Sequence, residues 1–140
     1  MECTVRWAGN ARFTASTGSG HEVSMEGGAG ELGGQNQFPR PMELILAGAG
    51  GCTAYDIVLL LKRDSLAVEG CEIHLDAQRA ETEPKVFTRI HYHYVVRGQG
   101  IPPEAVERAI KLSAEKYSSA ANMLCKTATV SHDFEIVALA

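Results

Sequence analysis

Residues 46–56 read LAGAGGCTAYD and form the middle of the most apolar stretch of the chain. Three glycines, three alanines and one threonine accompany a single cysteine, Cys52. Glycine in a helix interior costs about 1 kcal/mol relative to alanine, so three glycines in one helix require a reason. Small side chains let another backbone approach closely. The segment therefore predicts a tightly packed helix, with Cys52 as a small buried side chain on it.

This helix is predicted to begin after Arg40 and to end near Lys62 or Arg63. Pro41 suits the first turn, because the N–H that proline lacks would have no partner there. Glu43 follows it, where a carboxylate interacts favourably with the positive end of the helix. The two basic residues suit the opposite end for the same reason. The helix would have over twenty residues and a length of about 33 Å.

A transmembrane helix is the first alternative for this stretch, because Asp56 is the only charged residue in residues 44–61. Tyr55 and Asp56 lie deep inside the stretch, and no second apolar segment is present to pair with it in a bilayer. The sequence therefore favours a helix buried on nearly all sides of a soluble core, and no contact with a membrane.

Length and composition predict one globular domain over residues 1–140. Hydrophobic residues make up 45% of the chain and charged residues 21%, which is typical of a soluble protein. The net charge is −4 and basic residues form no cluster, so nucleic acid is not an expected partner. The first ten residues, MECTVRWAGN, lack the basic and apolar regions of a signal peptide, which predicts a cytoplasmic location.

Two features could suggest a metal site, and neither is expected to bind a metal. The four cysteines are far apart and form no C-x-x-C pair. One face of a predicted strand is basic, and its residues are Arg89, His91, His93 and Arg97. The two arginines would repel a cation, and Glu72 and Asp76 are predicted to pair with these bases across the strands. The sequence therefore indicates neither a metal nor a cofactor.

Short alternating segments on both sides of the helix predict strands. Residues 1–32 read as a β-meander with glycine-containing turns, and residues 27–39 contain five glycines and predict a long loop. Residues 71–78 and 86–97 alternate with a period of two, which predicts an antiparallel hairpin in which Val86 shares the apolar face.

The last third of the chain predicts a helix and a strand. After two prolines, one helical face is formed by Val106, Ala109, Ile110, Ser113 and Tyr117. Residues 118–124 either continue this helix or form a separate turn, and residues 127–139 predict a final strand. The order of elements predicts the α+β class with antiparallel sheets.

Cys52 is a candidate reactive thiol, but its position in the helix provides no evident cation. It lies three turns from the N-terminus, where the helix dipole contributes little, and Asp56 at i+4 disfavours a thiolate. Arg40 lies about 18 Å away along the axis of a straight helix. Activation therefore requires Arg6, Arg12 or a residue such as Arg40 of the partner subunit.

Three segments combine these features with recognisable motifs. They are RPMELILAGAGGCTAYDIVLLLK (40–62), EPKVFTRIHYHYVVRG (83–98) and AIKLSAEKYSSAANMLCKTATVSHDFEI (109–136). The first has a Pro-x-Glu-Leu run followed by Gly-Cys on a long helix, and the third has AEKY before the last strand. In this order the segments resemble the OsmC/Ohr family of osmotically inducible and organic hydroperoxide resistance proteins, and especially its YhfA-like branch.

The resemblance implies an OsmC-like fold, in which antiparallel sheets surround long central helices in an intertwined homodimer. It also implies that Cys52 is the peroxidatic cysteine, whose thiolate attacks the O–O bond of an organic hydroperoxide. The sulfenic acid that forms is resolved by a second cysteine and reduced by a thiol, such as a lipoylated protein. An arginine and a glutamate accompany the first cysteine, and Arg40 and Glu43 are the candidates here.

The chain departs from the pattern of active family members at three places. Ser118 follows AEKY, where the resolving cysteine is typical. Met42 occupies the position of the family glutamate, next to Glu43. No arginine lies between Arg12 and Arg40, where many members have the activating one.

Three functions follow as hypotheses. The first is a hydroperoxide reductase of one-cysteine type, in which Cys52 attacks and an external thiol resolves. Cys125 is a candidate substitute resolver, about 10 Å from Ser118 if the helix continued, or else a lone buried thiol. The second is a non-catalytic protein that binds a hydrophobic small molecule at the dimer interface. The third is a thiol sensor at Cys52.

Overall fold

Residues 1–139 are described by a computed structural model, and their elements follow the predicted order. The strands are β1 (Cys3–Trp7), β2 (Arg12–Thr17), β3 (Glu22–Glu26), β4 (Ala67–Arg79), β5 (Phe87–Gln99) and β6 (Thr129–Ala138). The helices are α1 (Pro41–Arg63), α2 (Pro103–Leu112) and α3 (Ser119–Leu124), with a π-helical turn at Ser113–Tyr117 between the last two. The α+β class is confirmed.

Residues 1–47 form one compact unit, and residues from Gly48 onward form another. In the first unit, β1, β2 and β3 form the antiparallel meander that the turns predict. The side chains of Ala11 and Ala15 are buried in it. The organisation as one domain over residues 1–140 stays a prediction.

The second unit contains a sheet of order β4-β5-β6. β4 and β5 form the predicted antiparallel hairpin, with Leu75 opposite Tyr92. β6, however, pairs with β5 in parallel, with His132 beside Tyr92. The connection through α2 and α3 is long enough for the crossover that parallel strands require. The expected antiparallel pairing therefore holds for the first sheet and the hairpin, but not for β6.

Two local predictions are wrong for the same kind of reason. A bulge between Gln78 and Arg79 shifts the register, so Phe87 is buried and Val86 is exposed, the reverse of the predicted alternation. The π turn inserts an extra residue per turn after α2, so Tyr117 is rotated outward and exposed.

α1 has the predicted bounds but is not buried on nearly all sides. Its inward face consists of Ala49, Gly50, Thr53, Ile57 and Leu61. Only 28% of its most apolar stretch is buried, and Tyr55 is exposed. By length and composition alone α1 could cross a membrane. The single chain covers one side of this helix and leaves the other side open.

Candidate active site

The inward face of α1 lies close to the second sheet at Gly50. A Cβ atom built there would lie 2.9 Å from Leu75 Cδ1. Leu75 is the β4 partner of Tyr92, so the helix reaches the sheet beside the pair of strands that includes Tyr92. The smallest side chain at position 50 therefore lets the following turn, with Cys52 and Thr53, lie close to this part of the sheet.

Cys52 and Thr53 differ in exposure, although they are adjacent. The Cys52 thiol is free and exposed in the single chain, so the prediction of a buried side chain is wrong. The Thr53 hydroxyl is buried and donates to Ala49 O at 3.0 Å. The Ser118 Oγ atom lies 3.3 Å from Thr53 Oγ1. Because the threonine proton is already used, Ser118 donates to Thr53.

The AEKY motif lies in the π turn, which orients two serines toward α1. Ser118 N donates to Ser113 O at 2.8 Å, which closes the turn. Ser113 is buried and its hydroxyl donates to Asp56 Oδ2 at 2.8 Å. Ser118 is also buried, and its Oγ accepts from Ala121 N at 3.2 Å, which caps α3. π turns are rare and occur frequently at functional sites.

Two tyrosines of β5 share the sheet face of Leu75, which lies close to α1 at Gly50, and both side chains are fully buried. The Tyr94 hydroxyl forms a hydrogen bond with His132 Nδ1 at 3.2 Å. Burial, and next the charge of His91, lower the pKa of His132, which favours the neutral imidazole. The Tyr92 ring stacks on His132 at 5.3 Å, but its hydroxyl has no hydrogen-bond partner within residues 1–139.

Electrostatic coupling shows which helix residues lie near each tyrosine. Burial raises the pKa of Tyr92, and the charges of Cys125 and Cys52 raise it further. Burial also raises the pKa of Tyr94 strongly, with smaller contributions that include the Asp56 charge. Tyr92 therefore lies within electrostatic range of Cys52, and Tyr94 lies within that of Asp56.

Cys125, the candidate resolver, is also exposed rather than buried. It follows the last residue of α3, and its Sγ donates to Asn122 O at 3.2 Å. Both candidate thiols therefore lie within electrostatic reach of one phenol, that of Tyr92. Cys71 differs from them, because burial raises the pKa of its thiol and disfavours the reactive thiolate.

Arg40 and Glu43 interact with each other at the start of α1. Arg40 N donates to Glu43 Oε1 at 2.9 Å, which is the capping-box contact of a helix N-terminus. The Arg40 guanidinium donates to Gly27 O at 3.3 Å. Arg12 donates to Gln37 Oε1 at 2.8 Å. These contacts give the residues local structural roles, and their catalytic roles stay predictions.

The histidines of β5 have other partners than those predicted. His91 Nε2 and His93 Nδ1 each lie 2.8 Å from Asp133 Oδ1 on β6. Hydrogen bonds from His93 and then His91 lower the pKa of Asp133. Within residues 1–139, Glu72 and Asp76 form no ion pair, so the predicted pairing is wrong. The parallel neighbour β6 provides the acid instead. No group of three or more potential ligands in this range is arranged for a metal.

Comparison with known proteins identifies the family. The family described as OsmC-like protein matches residues 34–133. Protein YhfA of Escherichia coli K12 is 40% identical over 138 residues, which cover 99% of each chain.

The chain belongs to the OsmC-like family.

Solved structures of other proteins have the same fold. A hypothetical protein from Aquifex aeolicus VF5 is 27% identical with a TM-score of 0.87, and the match covers 99% of this chain and 97% of that one. The organic hydroperoxide resistance protein OhrB of Bacillus subtilis is 16% identical with a TM-score of 0.64, and the match covers 96% of both chains. At this lower identity the likeness concerns the fold alone.

The structure adds residues to this OsmC-like site that the sequence did not indicate. Thr53, Tyr92 and Ser113 were expected only as parts of regular elements. The alternation of β5 predicts that Tyr92 is buried, and the helical spacing predicts the same of Ser113. Neither pattern shows which residues of α1 they face, because that depends on the packing of the helix against the sheet.

Proposed function

We propose that this protein reduces organic hydroperoxides at the expense of thiols, with Cys52 as the peroxidatic cysteine. The observation that supports this most is an exposed thiol on α1 within electrostatic reach of a buried phenol that has no partner within residues 1–139. Membership of the OsmC-like family, which includes proteins with the Ohr fold, supports the same chemistry.

The reaction has two parts. The Cys52 thiolate attacks the terminal oxygen of ROOH, so that an S–O bond forms, the O–O bond breaks, and a sulfenic acid and RO⁻ result. RO⁻ then takes up a proton to give the alcohol. A dithiol, such as that of a lipoylated protein, reduces the sulfenic acid to the thiol and releases water and a disulfide. The peroxide is reduced and the dithiol is oxidised, by two electrons each.

The proposed resolving step depends on an external thiol. Ser118 occupies the family position of the second cysteine, and its hydroxyl bonds to Thr53 and Ala121 instead. Cys125 is the candidate internal resolver, because it lies near the same phenol as Cys52. Arg40 of the partner subunit is the candidate for stabilising the thiolate, and Glu43 is the candidate for the glutamate that accompanies it. The enzyme is proposed to be cytoplasmic and to use no cofactor.

Replacement of Cys52 tests this function. We expect Cys52→Ser to reduce the consumption of cumene hydroperoxide, with dihydrolipoamide as reductant, to the uncatalysed rate. Cys3→Ser is the matched control, because Cys3 is also an exposed free thiol but lies on β1 in the other unit, and it should keep full activity. Unchanged consumption in Cys52→Ser would refute the proposal. Activity lost equally in both variants would point to general loss of structure.

The alternative is a non-catalytic protein that binds a hydrophobic small molecule. It is favoured by the structural use of Ser118, which leaves no thiol at the family position. Native mass spectrometry of the purified protein would show a co-purified ligand in this case, with no hydroperoxide turnover.

We also propose that the chain forms a homodimer through the open side of α1. Gly48 and Gly51 are exposed on this helix, and a Cβ atom at either would meet no atom within 4 Å in residues 1–139. In a lone chain, Gly51→Ala should therefore stabilise α1 by about 1 kcal/mol. In a dimer packed at this surface the added methyl group would weaken association. Light scattering measures the molar mass of the wild type and of this variant, and so distinguishes a lone chain from a dimer. A monomeric wild type would refute the proposed dimer.

A further inference from the structure

The Tyr92 hydroxyl is the one buried side-chain polar group within residues 1–139 that has no hydrogen-bond partner. Buried polar groups are almost always hydrogen-bonded, so an exception requires an explanation. Tyr94, two residues along the same strand face, is equally buried, and its hydroxyl forms a hydrogen bond with His132. Burial of a tyrosine in this sheet is therefore compatible with a partner.

The surroundings of Tyr92 are those of the candidate active site. Its strand partner Leu75 contacts α1 at the glycine two residues before Cys52. The charges of Cys52 and Cys125 both act on its phenol. The unpartnered hydroxyl therefore belongs to a buried side chain in the part of the sheet that α1 approaches two residues before Cys52.

The other hydroxyls in this part of the site already use their protons. Thr53 donates to Ala49 O, Ser118 donates to Thr53, and Ser113 donates to Asp56. A hydroxyl has a single proton to donate. Among the hydroxyls of Thr53, Ser113, Ser118 and Tyr92, that of Tyr92 therefore has a proton available for a bound molecule.

We propose that the Tyr92 hydroxyl donates a hydrogen bond, and then its proton, to the alkoxide oxygen that leaves when Cys52 attacks an organic hydroperoxide. This inference rests on the proposed function and adds a catalytic residue to it. As the O–O bond breaks, the electron pair remains on the oxygen bound to carbon. That oxygen takes the Tyr92 proton and leaves as the alcohol, and the phenolate regains a proton from water.

The electrostatics of the phenol suit this role. Burial raises the pKa of Tyr92 above its ordinary value, so the phenol stays protonated at neutral pH and remains a donor. An alkoxide is more basic than a phenolate, so the transfer is downhill. A donor aimed at developing negative charge in a water-poor site is an effective form of catalysis.

Single-turnover oxidation of Cys52 tests this proposal directly. The wild type, Tyr92→Phe and Tyr94→Phe are mixed with cumene hydroperoxide, and the Cys52 sulfenic acid is trapped with dimedone and measured by peptide mass spectrometry. Alkylation of Cys52 by iodoacetamide, which releases no alkoxide, is measured in parallel at the same pH. We expect Tyr92→Phe to slow oxidation by about 100-fold and to change alkylation by no more than about twofold. Tyr94→Phe should leave both rates near those of the wild type.

Several results would overturn the proposal. Oxidation that is not slowed in Tyr92→Phe removes the role. An equal fall in oxidation and alkylation means that Tyr92 acts on the sulfur or on the fold, and equal slowing in both variants means that packing is responsible. A lower melting temperature of Tyr92→Phe than of the wild type shows that the hydroxyl has a structural partner.

The proposed function is judged separately, by turnover with a dithiol. If the wild type does not turn over, that function fails. The single-turnover rates still decide the role of Tyr92, because an exposed thiol reacts with hydroperoxide stoichiometrically.

Discussion

Glu26 and Tyr92 are both buried polar side chains, one in each unit of the molecule, and they differ completely in their partners. The Glu26 carboxylate accepts backbone N–H bonds from Gln35 and Gln37 at 2.7 Å each, and from Phe38 at 3.3 Å. The Tyr92 hydroxyl has no partner within residues 1–139. The first group organises a loop, whereas the second leaves its proton free.

The hydrogen bonds to Glu26 also change the pKa of its carboxyl group. Backbone hydrogen bonds from Gln35 and then Gln37 lower the pKa of Glu26, and the Arg12 charge contributes least. The carboxylate replaces the regular backbone bonds that a glycine-rich loop lacks. A satisfied buried group therefore indicates a structural role, and an unsatisfied group near an exposed thiol is a candidate for contact with a ligand.

The largest effect in this comparison is expected from Glu26→Gln. An amide has one acceptor oxygen, and its NH₂ group would face the backbone donors of the loop. We expect the Gln35 and Gln37 amide hydrogens to exchange about tenfold faster with solvent. Glu31→Gln is the control, since Glu31 is an exposed carboxylate in the same loop, and it should leave these amides unchanged. Unchanged protection in Glu26→Gln would mean that other contacts hold the loop.

The same carboxylate predicts a pH dependence. Its pKa is lower in the folded protein than its ordinary value of 4.5, so the folded state binds this proton less tightly than the unfolded chain. Its stabilising contribution is therefore complete above about pH 4.5 and is lost as the pH falls through the lower folded value. In an NMR titration, the Gln35 and Gln37 amide shifts should move in that acidic range in the wild type. Glu26→Gln should lack this transition.

The regular elements were predictable where a local signal decides them. Pro41 and Glu43 mark the start of α1 and Lys62 and Arg63 its end, and the alternation in β4 and β5 predicts their hairpin but not the bulge before Phe87. The direction of β6 was not predictable, because alternation indicates a strand but not its neighbour. For the same reason, the pairing of His91 with Asp133 was missed.

The candidate site was predictable only in part. Cys52 was found from its place among small residues and from the family resemblance, and its role stays a prediction. The path from Thr53 through Ser118 to Ala121 depends on a π turn, and no sequence period indicates one. The missing partner of Tyr92 depends on the packing of α1 against the sheet.

Ser118→Ala removes a hydrogen-bonded buried hydroxyl, and it separates stability from reactivity. It removes the acceptor that caps α3 and the donor to Thr53, so we expect a loss of about 1–2 kcal/mol in the free energy of unfolding by urea. Ser119→Ala is the control, because Ser119 is exposed, and it should change stability by less than about 0.5 kcal/mol.

The comparison with Tyr92 sharpens this last prediction. Thr53 still donates to Ala49 O in Ser118→Ala, so the turn that contains Cys52 keeps its bond and Cys52 oxidation should slow far less than in Tyr92→Phe. Tyr92→Phe should show the reverse, with stability kept and oxidation slowed. Equal losses of stability and of oxidation rate in both variants would contradict the assignment of a structural role to the Ser118 hydroxyl and a catalytic role to the Tyr92 hydroxyl. The two hydroxyls would then belong to one cooperative network.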